Sequence, residues 1–207
     1  MREFSIYSVT VIIILITVRY IWLLVRKKIK PALAMWIFFS IAILMSLITY
    51  LSEGDYSFLD NIMNTTDLIY VVTVSIAIVI FGDKSSKFTR FDKGCLVAVM
   101  IIVIFWLFSQ NHKVTNILIQ AILVIAYFPV VKRFIDSKEN TEPFSVWIGM
   151  LLAPAIALIS SKGLLATIYN VRAILCVGLL LLLMVRTEIS NKGKKKQNYN
   201  DFVVPEP

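Results

Sequence analysis

Arg172 poses the hardest chemical problem in this chain. It is the ninth residue of an uninterrupted apolar run, Leu164–Val185, so at about 1.5 Å per helical residue its guanidinium lies roughly 13 Å from the start of that run. A cation at such depth in a bilayer is costly unless it faces a wet cavity or a partner. Tyr169 and Asn170 precede it within one turn, and Tyr70, Thr73 and Ser75 stand at matching heights in an earlier run. Phenol, amide, hydroxyl and guanidinium together suit recognition of an anionic or strongly polar solute. The same groups also suit an interhelical clamp to carbonyls, or an ion pair of Arg172 with Asp67. Asn116 and Gln120 are one turn apart on a single face, where amides line a cavity or join helices. Trp36 and Trp147 occupy corresponding places in two further runs. They can stack on a ring-shaped solute from two sides, or sit in the interfacial aromatic belt. Arg19 lies seven residues before Arg26, close enough to snorkel towards headgroups.

The elements that must hold these residues follow from composition. With 58% hydrophobic residues among 207, the chain is not an ordinary soluble domain. A spanning helix needs about 20 mostly apolar residues, with a lower limit of roughly 17. Seven segments approach or meet this: Phe4–Val25, Pro31–Leu51, Thr66–Gly82, Gly94–Ser109, Val114–Val131, Phe144–Ser161 and Leu164–Val185. Lipid-exposed backbone must satisfy its own hydrogen bonds, so the segments are expected to be α-helices; the alternating strands of a β-barrel are not evident. The first segment is long, lacks a following small-residue cleavage site and ends in Arg26-Lys27-Lys28-Ile29-Lys30, and is read as retained.

The net charge of +8 is distributed as a topology signal rather than a nucleic-acid footprint. Basic residues crowd the first, third and fifth connections and the C-terminal segment, whereas the second connection carries Glu53, Asp55, Asp60 and Asp67. The positive-inside rule then places the N-terminus outside and the C-terminus in the cytoplasm, with the basic clusters against anionic lipid. Cys95 and Cys176 fall inside spans without metal-ligand spacing, and His112 stands alone in a tight outer turn. No metal site or cofactor is expected. Paired carboxylates within spans, a His-Glu-x-x-His motif, a Ser-His arrangement and a phosphate-cradling glycine loop are all missing, so enzyme chemistry is not expected.

The runs repeat. Tyr20, Trp22 and Arg26 are echoed by Tyr127, Pro129 and Arg133; Pro31 and Trp36 by Pro143 and Trp147; Ile69-Tyr70-Val71-Val72 by Ile168-Tyr169-Asn170-Val171. The predicted architecture is all-α, with seven transmembrane helices as 3+1+3. Residues 1–93 form one three-helix repeat, 94–111 a linking helix, 112–186 a second repeat and 187–207 a disordered cytoplasmic tail. The linking helix inverts the second trio so that both bundles run parallel about an axis along the membrane normal. Pro129 and Pro143 at cytoplasmic helix ends each lack a backbone donor. They suit a gate hinge or an ordinary helix boundary, and Pro154 lies mid-span.

At the fifth and sixth runs, Phe128-Pro129-Val130-Val131, a basic stretch and Ser137-Lys138-Glu139-Asn140-Thr141-Glu142-Pro143-Phe144 resemble the second-repeat signature of the SWEET and related PQ-loop transporters. Lys162 to Asn170 resembles the start of their last helix, with Asn170 at a substrate-contacting asparagine. Glu142-x-Phe144-x-x-Trp147 and Lys162-Gly163 also resemble the Pnu-type nicotinamide-riboside transporters. Val130 replaces the eponymous glutamine, Trp22 replaces the first gating proline and leaves Pro31, Pro129 and Pro143, Val71 stands opposite Asn170, and Leu151 replaces an amide or acid of the Pnu-type pattern. The resemblance implies the fold; it does not carry a sugar substrate with it.

The expected function is a facilitative carrier of a small polar or anionic solute, bound between the bundles near Tyr70, Thr73, Gln120, Tyr169, Asn170 and Arg172. No mid-membrane carboxylate is expected as a proton relay. The alternative is a non-transporting receptor or assembly protein on the same scaffold, like the receptors that retrieve escaped endoplasmic-reticulum proteins. The expected partners are the solute and the bilayer, not nucleic acid, and the sequence is compatible with a homo-oligomer.

Overall fold

The structure, a computed structural model, describes residues 1–29, 31, 33–82, 90–128, 131 and 143–203. Among these, all regular structure is helical: α1 (Arg2–Val25), α2 (Leu33–Ser52), a 3-10 turn (Phe58–Asn61), α3 (Ile62–Phe81), α4 (Arg90–Ser109), α5 (His112–Ile125), α6 (Phe144–Ala157) and α7 (Gly163–Val203). Local chemistry sets the ends. Lys27 takes a left-handed φ of 54°, and the Lys28 amide turns back to the Leu23 carbonyl at 2.9 Å, closing α1 with a Schellman-type bond. Asn111 caps α5 by accepting the Val114 amide at 3.1 Å, and Pro143 occupies the N-cap of α6.

The second connection departs from the sequence expectation. Ser57 and Asp60 form a capping box on the 3-10 turn, Asn61 accepts the Asn64 amide at 3.4 Å, and α3 begins at Ile62 rather than Thr66. Asp60 is buried in the turn, and Asp67, at the edge of the expected span, is buried five residues into α3. At the other end, α7 remains helical to Val203, beyond the end of the apolar run and through residues expected to be disordered. Once a helix is nucleated in the bilayer, adding residues such as Lys and Gln costs little.

Among the described residues, five helical stretches are long and apolar enough to cross a membrane: Arg2–Val25, Met35–Ser52, Phe58–Phe81, Arg90–Ser109 and Gly163–Ile189. The helices α5 and α6 are apolar but have 14 residues each. The protein is a multi-pass helical membrane protein, and apolar side chains such as Ile14, Leu15, Val79, Leu175 and Leu182 face outwards, as lipid contact requires.

Helix α3 packs between α1 and α2, and α7 packs between α5 and α6. Helix α1 also packs on α6, α2 on α5, and α4 on α2 and α5. Close approach is achieved with small residues, since lipid provides no hydrophobic drive between spans. Gly149, Ala153 and Ala157 form a buried stripe at every fourth position of α6; a Cβ on Gly149 would meet Ile16 Cγ2 of α1 at 2.5 Å.

Candidate functional site

A closed circuit of polar side chains joins α2, α3, α5 and α7. Arg172 Nε on α7 donates to Gln120 Oε1 on α5 at 2.9 Å. Gln120 Nε2 donates to Ser46 Oγ on α2 at 2.8 Å. Ser46 Oγ lies 2.9 Å from the Asn64 amide on α3, which is best satisfied with its oxygen accepting from Ser46 and its nitrogen donating to the Ile43 carbonyl at 3.2 Å. One turn along α3, Asp67 Oδ2 accepts the Tyr169 hydroxyl at 2.5 Å, returning the circuit to α7. Asn116 reinforces it, donating to the Ser46 carbonyl at 2.8 Å and to Thr49 Oγ1 at 2.9 Å. All these side chains are buried.

The two charges stand on either side of Tyr169. The Arg172 guanidinium carbon lies 4.7 Å from the centroid of the Tyr169 ring, whose hydroxyl holds Asp67. Arg172 and Asp67 are not among the direct ion pairs of the described residues, so the ion pair weighed from the sequence is replaced by an arrangement through tyrosine. Each charge keeps binding capacity. Asp67 Oδ1 and Asn170 Oδ1 are buried without a hydrogen-bond partner, while Asn170 Nδ2 donates to Ser161 Oγ at 2.6 Å. Buried acceptors left unpaired are destabilising, and such groups in a membrane interior mark binding or transfer sites more often than structure.

The site residues expected from the sequence divide into two groups. Gln120, Tyr169, Asn170 and Arg172 come together around the circuit. Tyr70 and Trp36 instead join Tyr20 in a separate aromatic cluster, with ring centroids 5.0 Å apart for Tyr20–Trp36 and 5.6 Å for Trp36–Tyr70. Trp36 is buried, and its indole nitrogen has no hydrogen-bond partner among the described residues. Trp147 packs on Tyr127 at 6.3 Å, and Tyr127 in turn on Phe39. Each indole thus has a tyrosine neighbour. Thr73 is half-buried on α3. Pro31 precedes α2 and Pro143 starts α6; Pro129 lies outside the described residues. Arg19 sits 4.7 Å over Trp22, on the exposed end of α1. His112 accepts the Trp106 indole N–H at 2.9 Å and is structural.

A second polar group closes the end of the molecule where α1, α3 and α7 begin. Asp60 pairs with Arg2 at 2.7 Å and with Lys162 at 3.4 Å. The Tyr50 hydroxyl donates to the Lys162 carbonyl at 3.0 Å, and Tyr50 stacks on Tyr56 at 4.8 Å. Gly163 has a φ of 79° and no room for a Cβ beside the Tyr56 hydroxyl, so only glycine fits there without strain.

Ser46, Asn64 and Thr49 are the circuit members that reading the sequence missed, and Asp67 was weighed only as an ion-pair partner of Arg172. A signal existed for Asn64: it stands three residues before Asp67, close enough to share a helix face with it. Comparison with protein-family models, curated proteins and solved structures yielded no match.

Proposed function

We propose that the protein is a facilitative carrier of a small polar solute, built from seven spans in which α4 joins two like-oriented trios, α1–α3 and α5–α7. The packing supports this. Exchanging α1 with α5, α2 with α6 and α3 with α7 turns the pairs α1–α3, α2–α3 and α1–α6 into α5–α7, α6–α7 and α5–α2, all of which occur. The Tyr20–Trp36 and Tyr127–Trp147 pairs follow the same exchange. The two short helices are prolonged by further helical bonds, from the Val131 amide to the Tyr127 carbonyl and from the Ser161 amide to the Ala157 carbonyl. Each thereby approaches the length a span requires. The charge asymmetry of the connections puts the N-terminus outside and the C-terminus in the cytoplasm.

The observation that carries the reading is the polar circuit, since its bonds cross between the trios. Tyr169–Asp67, Gln120–Ser46 and Asn116–Thr49 all link one trio to the other. A small rocking of one trio would break these bonds and offer the same groups to a solute, which is the economy of alternating access. The Asp60 group lashes the outer ends of both trios together, so the conformation described is closed to the outside. The Gly149-Ala153-Ala157 stripe gives α6 a close apolar contact with α1, bounded at one end by the bonds of Ser5 to the Ile156 carbonyl at 2.7 Å and to Ser160 Oγ at 2.9 Å.

The test is solute counterflow in liposomes containing the purified chain, with labelled sugars, nucleosides, amino acids and small carboxylates. The expected result is saturable flux of one class, reduced at least about tenfold by Arg172→Gln, the worth of one charge-assisted hydrogen bond. Folded protein that moves none of them, or an Arg172→Gln variant with unchanged flux, would contradict the carrier reading and favour a receptor on the same scaffold.

A further inference from the structure

We infer that the solute is a small zwitterion, with Asp67 receiving its ammonium and Arg172 its carboxylate. The inference rests on the carrier reading for its site and narrows the substrate class.

The circuit's formal charges cancel. One buried carboxylate and one buried guanidinium sit on α3 and α7, joined through Tyr169. A site selecting simple anions would not hold a buried carboxylate beside its cation, because the like charge opposes the ligand in a poorly screened interior. A site for an uncharged polyol would not need two opposite charges, each expensive to bury. Opposite charges held apart are instead complementary to a ligand carrying both.

The unspent hydrogen-bonding capacity agrees. Asp67 uses Oδ2 on Tyr169 and leaves Oδ1 unpaired; Asn170 uses Nδ2 on Ser161 and leaves Oδ1 unpaired. The only hydrogen bond of the Arg172 guanidinium among the described residues is from Nε to Gln120. What is left is two acceptor oxygens and the terminal guanidinium nitrogens. An ammonium brings three donors and no acceptor, which suits the free oxygen of Asp67, and a carboxylate suits the planar donor pair of arginine. The Tyr169 face is covered by Arg172, so an aromatic ring on the solute gains no stacking partner there.

The test uses the full chain in detergent, its melting temperature recorded with matched trios of probes: each protein α-amino acid, the 2-hydroxy acid that lacks its ammonium, and the amide that lacks its carboxylate. Ligands of the folded state raise that temperature. At least one amino acid is expected to raise it, with its hydroxy acid and amide at least about tenfold weaker, one charge-assisted hydrogen bond each. Asp67→Asn retains an acceptor for Tyr169 and removes the charge. It is expected to lose the amino-acid shift and gain one for the hydroxy acid. If that variant does not fold, Asn170→Ala is expected to weaken amino-acid binding alone. No shift with any amino acid, equal shifts across a trio, or undiminished amino-acid binding in the variant would overturn the inference. Counterflow separates the two readings. Amino-acid binding without flux removes the carrier and leaves the zwitterion site, whereas flux of a sugar or simple anion with no amino-acid binding does the reverse.

Discussion

One tyrosine, Tyr169, organises the charges in the interior of this protein. Its hydroxyl holds Asp67 and its ring face carries Arg172, so removing the hydroxyl leaves a buried carboxylate with neither oxygen paired. Tyr169→Phe is expected to lower stability by about 1–3 kcal/mol, the usual cost of stranding a buried polar group, read as a fall in melting temperature without solute. Gln120→Leu removes the partner of a buried charge and is expected to cost more, about 3–5 kcal/mol, in the same measurement. At this scale the sequence was legible where depth alone identifies a costly residue. Arg172, Asn170 and Gln120 stand far inside apolar runs. Asp67 was legible only as a possible ion-pair partner at the edge of a run, and the capping chemistry of Ser57, Asp60 and Asn61, which starts α3 at Ile62, sets it deeper in the helix. For Trp36 and Trp147, spacing places an indole at a depth but does not reveal the tyrosine beside it.

The helices depend on short-range chemistry at their ends and small residues along their contacts. Gly163 opens α7 in a left-handed conformation against Tyr56. Gly163→Ala combines a strained φ with a steric clash and is expected to destabilise the fold by about 1–2 kcal/mol, measurable by thermal unfolding in detergent. Ser46 is the hub on α2. Ser46→Ala removes interhelical hydrogen bonds of the kind worth about 0.6 kcal/mol on average and at most about 1.7 kcal/mol in membranes, so its effect on stability is expected to be small. The positions of the helices were readable from hydrophobic runs, since the bilayer imposes one length and one backbone solution. Their limits were less readable. The helix α3 is prolonged by a cap, and α7 outlasts its apolar stretch, because helix propagation does not require burial.

At the scale of the whole molecule, the proposed repeat conceals an asymmetry. With Tyr20 matched to Tyr127, Asn116 and Gln120 correspond to Val9 and Ile13. The middle of the α2–α5 contact is therefore crossed by the Gln120–Ser46 and Asn116–Thr49 bonds, whereas Val9 and Ile13 are apolar and buried and the bonds from α1 to the end of α6 come from Ser5. At the end where α1, α3 and α7 begin, Asp60 binds two cations far apart in the chain, Arg2 and Lys162. Asp60→Asn is expected to loosen that closure and speed outside labelling of a cysteine placed at Ser46. Paired motifs suggested a doubling from the sequence, but which helix contact is polar was not legible, since that depends on residues meeting from four helices. Ser46 lies on the polar seam between the trios and accepts cysteine with little change in volume, so it reports directly on access. In a background lacking Cys95 and Cys176, a membrane-impermeant thiol reagent should label Ser46→Cys from the outer face and, separately, from the cytoplasmic face of oriented vesicles. Labelling from only one face, or from neither, would contradict a carrier and leave the circuit as a clamp.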